Sequence, residues 1–282
     1  MLDILKSILL GIVEGITEWL PVSSTGHLIL ADEFIKLGMS KDFKEMFDVV
    51  VQLGAILAVV VIFWHRLWPF TLNKTKGYNY ITKGPGLIKK QTMDMWLKVL
   101  VAILPAMAIG IPFDDKINKI FFKPTVVAGA LILYGILFIV IEWYNKDRKP
   151  KIKTVNGITY KTALFIGLFQ VLSLIPGTSR SGSTILGAIL IGVSRVAAAE
   201  FSFYMAVPVM FGASFLKLLK FGFSFTGPQI AVLIAGMLSA FLVSVASIRF
   251  LMSYVKKHNF ALFGYYRIAL GIIVLVYFAL AK

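Results

Sequence analysis

The sequence predicts an all-α polytopic membrane protein: six transmembrane helices plus two re-entrant helix–loop–helix hairpins in an inverted-topology repeat. Three observations carry this. First, the 282 residues are 58% apolar and only 15% are Asp, Glu, Lys or Arg, against about 25% in a typical soluble domain. Second, six stretches approach the ~20 apolar residues that a helix needs to cross a bilayer: 46–64, 96–113, 125–144, 200–219, 229–253 and 261–281. Third, two further apolar regions, 4–35 and 162–193, are interrupted by short polar breaks.

Each break follows a short apolar helix and begins at a proline, which lacks an N–H and ends the helix. The first is Pro21-Val22-Ser23-Ser24-Thr25-Gly26-His27. The second is Pro176-Gly177-Thr178-Ser179-Arg180-Ser181-Gly182-Ser183-Thr184. The halves on either side are too short to span, so each region predicts a hairpin whose irregular backbone faces protein or a cavity. Glu14 and Glu18 in the first apolar stretch, which runs on into more structure, argue against a cleaved signal peptide.

Loop charge sets the expected orientation. Arg66, Lys74, Lys76, Lys83, Lys89 and Lys90 follow one span. Lys146, Arg148, Lys149, Lys151, Lys153 and Lys161, offset by Asp147, follow another. Both loops are expected in the cytoplasm by the positive-inside rule. The loop between them, with Asp114, Asp115, Lys116, Lys119 and Lys123, falls outside, as do both termini. The formal net charge of +15 is read as orientation and contact with anionic membrane lipids, not nucleic acid. There is no cysteine and there are only three histidines, which exclude a disulfide frame and a His-rich metal centre.

The chain thus reads as one integral membrane domain, 1–282. Repeat 1 covers about 1–144 and repeat 2 about 162–282, joined by the basic loop 145–161. Three spans per repeat invert the second relative to the first. Gly11-Ile12-Val13-Glu14 parallels Gly167-Leu168-Phe169-Gln170, and the same register sets Ser23-Ser24-Thr25-Gly26 against Ser179-Arg180-Ser181-Gly182. Gln52-Leu53-Gly54-Ala55 resembles Met210-Phe211-Gly212-Ala213. Opposed hairpins would meet near the bilayer midplane, where such repeats place their sites.

The breaks hold polar groups that membranes exclude. Glu14 and Glu18 lie one turn apart on one helix face, and each charge costs about 2.5–3.5 kcal/mol at mid-membrane. A cation must offset them, or one must bind a proton. Arg180, on the other break, is a candidate partner, and a structural salt bridge is the plainer role for it. Hydroxyls, glycine-loop N–H groups and a half-helix N-terminus donate to anions, an arginine fork holds phosphate oxygens, and paired carboxylates hold a divalent cation that bridges phosphates. Serine beside histidine allows nucleophilic attack with proton transfer. The set points to phosphoryl chemistry at a membrane. The candidate catalytic residues are Glu14, Glu18, Ser24, His27 and Arg180. Glu14 and Glu18 are also the candidate ligands of Mg²⁺ or Ca²⁺. The candidate substrate-binding residues are Thr17, Ser23, Thr25, Gly26, Thr178, Ser179, Ser181, Gly182, Ser183 and Thr184.

The segment Glu14–His27, Glu-Gly-Ile-Thr-Glu-Trp-Leu-Pro-Val-Ser-Ser-Thr-Gly-His, together with Pro176–Thr184, resembles the bacterial undecaprenyl-diphosphatase family of the bacitracin-resistance type. The resemblance runs nearly the full length, and both motifs follow the family pattern. It implies hydrolysis of undecaprenyl diphosphate to undecaprenyl phosphate and phosphate. It also implies recycling of the lipid carrier for peptidoglycan synthesis, and reduced bacitracin sensitivity. The family's paired acids fall on Glu14 and Glu18, its serine on Ser24, its histidine on His27 and its arginine on Arg180. The expected mechanism is attack by Ser24 with His27 moving the proton, or attack by a water that His27 orients. The protein is expected in the bacterial cell membrane with the site opening outward, and the sequence leaves monomer and homodimer open. A polyprenyl-phosphate transporter or flippase using the same anion site is the alternative, since broken helices in inverted repeats are also transporter architecture.

Overall fold

The computed structural model describes residues 1–72, 77–79 and 84–280. In the first half, α1 (Leu2–Thr17), α2 (Ser24–Phe34) and α3 (Lys41–Ile62) are followed by the single turn α4 (Trp64–Leu67), α5 (Lys90–Phe121) and α6 (Pro124–Tyr144). In the second, α7 (Tyr160–Val171) and a 3-10 turn at Leu172–Leu174 lead to α8 (Arg180–Leu190). Then come α9 (Arg195–Phe221), α10 (Gly227–Tyr254) and α11 (Ala261–Leu280). Six helices among the described residues are long and apolar enough to cross a membrane: α3, α5 over Lys90–Phe113, α6, α9, α10 and α11. The helices α1 and α7 have 16 and 12 residues. At 1.5 Å per residue they reach roughly 24 and 18 Å, short of the ~30 Å hydrocarbon core.

The helix starts carry their sequence signals. Ser40, Thr159 and Ser194 each accept a hydrogen bond from the backbone N–H three residues on, which satisfies donors orphaned at a helix N-terminus. Thr226 and Gln229 form a reciprocal capping box at α10. Pro124 opens α6, where its missing N–H costs nothing.

Packing runs in pairs: α1 along α10, α7 along α5, α6 along α11, and α3 along both α9 and α10. Between apolar helices in lipid, close van der Waals contact rather than hydrophobic expulsion drives association, so small residues mark the seams. A Cβ at Gly11 would run into Ser239 and the Gly236 carbonyl of α10, and one at Gly167 into the Ala102 carbonyl of α5. Gly54 meets the Met237 backbone in the same way, whereas Gly212, aligned with it in sequence, has open space. The largest buried cluster gathers on α8 and α9. Phe201 and Phe203 are fully buried there, and Trp19, just before the first break, meets Phe203 edge-on at 5.2 Å.

Two stretches expected as loops are structured. Residues 114–121, read from sequence as part of an outer loop, are the helical end of α5, which continues past Pro105 and Pro112. Proline is tolerated in apolar helices whose freed carbonyls find other partners. Between β1 (Gly77–Asn79) and β2 (Gly84–Gly86) an antiparallel ribbon forms, with Gly77 opposite Gly86. Lys74, Lys76 and Lys83 of that basic loop lie outside the described residues.

Candidate active site

The two breaks are built alike. Ser23 (φ 73°) and Ser179 (φ 71°) are the two non-glycine residues of positive φ among the described residues. That conformation is costly for an L-residue and persists where its surroundings impose it. Each serine is the N-cap of the following helix. Ser23 Oγ accepts from the Gly26 N–H (3.3 Å), and Ser179 Oγ accepts from the Gly182 N–H (3.1 Å). The breaks therefore aim the starts of α2 and α8, whose N-termini carry partial positive charge.

They meet at one constellation. Ser24 Oγ donates to Glu18 Oε2 at 3.0 Å, and Arg180 Nη2 donates to Glu18 Oε1 at 3.0 Å. Arg180 Nη1 donates to the Ser202 carbonyl of α9 at 2.9 Å. Ser202 is in turn hydrogen-bonded to Thr184 at 2.7 Å. Ser181 Oγ donates to the Glu18 main-chain oxygen at 3.2 Å. Glu18, Ser24, Thr25, Gln52, Ser173, Ser179 and Arg180 are the polar lining of a cavity of about 160 Å³, closed on its other sides by Pro176, Gly177, Val209, Met210 and Ala213.

Glu14 sits one turn before Glu18, is fully buried, and neither of its carboxylate oxygens has a hydrogen-bond partner. Gln170, which the sequence register aligns with Glu14, is also buried with its Oε1 unpartnered. Among the described residues no three His, Asp or Glu side chains gather as a metal centre. Glu14 and Glu18 are the acidic pair that would hold a divalent ion, and Glu18 would then exchange its Ser24 or Arg180 partner for it. The orphaned oxygens of Glu14 fit such a ligand set, since a buried carboxylate otherwise lacks compensation.

The chain matches the family described as Bacitracin resistance protein BacA over residues 7–273. It belongs to that family. A protein of Lachnoclostridium phytofermentans named undecaprenyl-diphosphatase is 58% identical over 281 residues, covering all of this chain and 99% of the relative. Proteins of that name from Enterococcus faecalis and Desulfitobacterium hafniense are 61% and 57% identical, over 98% and 99% of this chain and 97% of each relative.

Several of the expected substrate-binding residues of this BacA-family chain make hydrogen bonds within the protein. Thr17 donates back to the Val13 carbonyl of its own helix at 2.7 Å, and Thr178 donates to the Leu172 and Ile175 carbonyls. Hydroxyls commonly make such local backbone bonds. Thr184 is tied to Ser202, and Ser183 is buried. Of the ten expected substrate-binding residues, Thr25 and Ser179 border the cavity. Ser23, Gly26 and Gly182 serve the caps.

The structure places His27 beside Tyr266. Its Nδ1 lies 2.8 Å from the Ser23 carbonyl, so that nitrogen carries the hydrogen, and Nε2 lies 2.7 Å from the Tyr266 hydroxyl. The two rings stack, with centroids 5.6 Å apart and planes 7° apart. Both nitrogens are engaged, His27 does not border the cavity, and the partner of the Ser24 hydroxyl is Glu18. The sequence reading also missed Ser202, Tyr266 and Arg267. For Ser202 and Tyr266 no pattern stood out, but Arg267 is a lone charge inside an apolar span, which is itself a signal.

Proposed function

We propose that the protein is an undecaprenyl-diphosphatase: it hydrolyses undecaprenyl diphosphate to undecaprenyl phosphate and phosphate, returns the lipid carrier to peptidoglycan synthesis, and lowers bacitracin sensitivity. The observation that carries this is the Ser24–Glu18–Arg180 chain, which joins a nucleophile, a proton acceptor and a phosphate-binding cation across the two breaks.

In the mechanism that follows, the diphosphate head enters the cavity and Arg180 turns from Glu18 to the phosphate oxygens. Glu18 is then free to take the Ser24 proton. Ser24 Oγ attacks the terminal phosphorus, the bond to the bridging oxygen breaks, and undecaprenyl phosphate leaves. Water then releases phosphate from the serine. A divalent cation held by Glu14 and Glu18 would neutralise phosphate charge. Here, as in other phosphoryl transfers, positioning and electrostatics supply most of the acceleration. The deciding experiment is phosphate release by purified protein given undecaprenyl diphosphate, with and without chelator. No release in either condition would reject the enzyme. Ser24→Ala should reduce release by roughly 10³-fold or more, as loss of a nucleophile does, and rapid quench of the wild type should trap a phosphoserine. Near-normal turnover by Ser24→Ala would hand the attack to water.

The same reading places the two breaks in an inverted repeat of re-entrant hairpins. Its support is the matched caps at Ser23 and Ser179 and the packing of α1 on α10 against that of α7 on α5. Both termini and the cavity mouth then face outward, in a bacterial cell membrane rich in anionic lipid. A cysteine introduced at Thr25 should react with an impermeant thiol reagent from outside; reaction from the cytoplasmic side alone would invert the orientation. The broken helices also suit a transporter, so lipid movement without phosphate release would favour the flippase.

A further inference from the structure

We infer that Arg267 is a positioning residue of the phosphate site: it clamps the two breaks to each other and holds an unneutralised positive charge behind them. Arg267 lies on α11, far from either motif in sequence, and is fully buried. Its Nη1 donates to the Pro21 carbonyl of the first break at 3.1 Å. Its Nη2 donates to the Gly177 and Thr178 carbonyls of the second at 2.8 and 3.1 Å. One planar fork thus holds both segments where they leave helical geometry and their carbonyls need donors. Pro21 stands three residues before Ser24, and Thr178 two before Arg180. The relative placement of nucleophile and phosphate-binding cation therefore passes through this guanidinium.

Its charge is as informative as its bonds. Arg180 is balanced by Glu18. Among the described residues no carboxylate lies within ion-pair distance of Arg267; besides the three carbonyls, the Tyr134 ring faces it with its centroid at 5.5 Å. A Cβ at Gly182 would come within 3.2 Å of Arg267 Nη1, so the guanidinium lies against the first turn of α8, the turn that faces the site. Charge held in such a low-dielectric interior acts strongly on nearby ions. A membrane interior tolerates an unpaired cation poorly, and an anion in the cavity would compensate it. Arg267 is thus placed to favour the diphosphate without touching it.

The turnover part of this inference rests on the phosphatase reading, whereas the binding part does not. In detergent-solubilised full-length protein, Arg267→Lys keeps the charge and loses the fork. It should lower kcat by roughly 10²-fold, the scale of an ångström's misplacement, with KM little changed. Arg267→Met loses both, and calorimetry with inorganic diphosphate should show affinity weakened by about tenfold or more, because the through-space attraction of a charge held in a low-dielectric interior is lost. A purely structural role would lower thermal stability yet leave kcat per folded molecule and diphosphate affinity at wild-type values. Either of those results, wild-type kcat in folded Arg267→Lys or wild-type diphosphate affinity in folded Arg267→Met, would overturn the inference. If Arg267→Met does not fold, Arg267→Lys decides by its kcat and diphosphate affinity together. Wild-type protein that binds diphosphate but releases no phosphate would reject the phosphatase and leave Arg267 to be judged on binding.

Discussion

Arg180→Ala should lower kcat/KM for undecaprenyl diphosphate by roughly 10³-fold or more, the range found when a phosphate-stabilising arginine is removed, while the protein still folds. Arg180 is the one cationic side chain among the residues bordering the cavity, so nothing nearby replaces it. Removing one member of a buried ion pair commonly costs about 3–5 kcal/mol, because the partner is left uncompensated. Here the loss is moderated. Glu18 keeps the Ser24 hydrogen bond, and it borders a cavity through which water or a proton can reach it. Arg180→Lys should fall between, because an ammonium cannot serve the Ser202 carbonyl and a phosphate with the same fixed fork. Phosphate release and thermal unfolding in detergent, measured on the same preparations, separate the two effects. Turnover of Arg180→Ala near the wild-type rate would remove the arginine from the mechanism.

The legible part of this site was its charge. Glu14, Glu18 and Arg180 are costly in an apolar chain, and that cost alone marks them out in the sequence. The less legible part was geometry decided by distant partners. The direction of His27 depends on Tyr266, 239 residues away. The hydroxyls of Thr17 and Thr178 look like ligands in sequence, yet their nearest acceptors are backbone carbonyls within six residues. The positive φ of Ser23 and Ser179 is invisible to propensity, which would put glycine there. Elsewhere, the length of the apolar runs located the spans well, but the end of α5 ran on because neither Pro105 nor Pro112 broke it. The sequence reading made nothing of Glu142. It is buried, ion-paired with Arg195, and accepts the Phe260 N–H at 3.0 Å, which ties α6 to α9 and to the entrance of α11.

Glu14→Gln should separate stability from activity. A fully buried carboxylate with two unpartnered oxygens is among the most expensive groups a fold can hold, unless a cation or a proton relieves it. Such a group destabilises the empty protein and is retained where function uses it. Gln170, which the sequence register aligns with Glu14, offers a comparison, since it is buried on α7 with its Oε1 unpartnered and the fold accepts it. In chelator, Glu14→Gln should therefore melt at or above the wild-type temperature. In Mg²⁺ or Ca²⁺ the order should reverse. An ion bound only to the native wild type adds RT ln(1 + [L]/Kd), about 2.7 kcal/mol at a hundredfold excess over Kd, and the variant has lost half of the carboxylate pair that would hold it. Turnover should drop by roughly 10²-fold, the cost of one lost electrostatic contact to a transition state, and become insensitive to chelator. Wild-type protein whose melting temperature ignores both ions would leave Glu14 as a proton site. A variant with full, chelator-sensitive turnover would remove Glu14 from the metal site altogether.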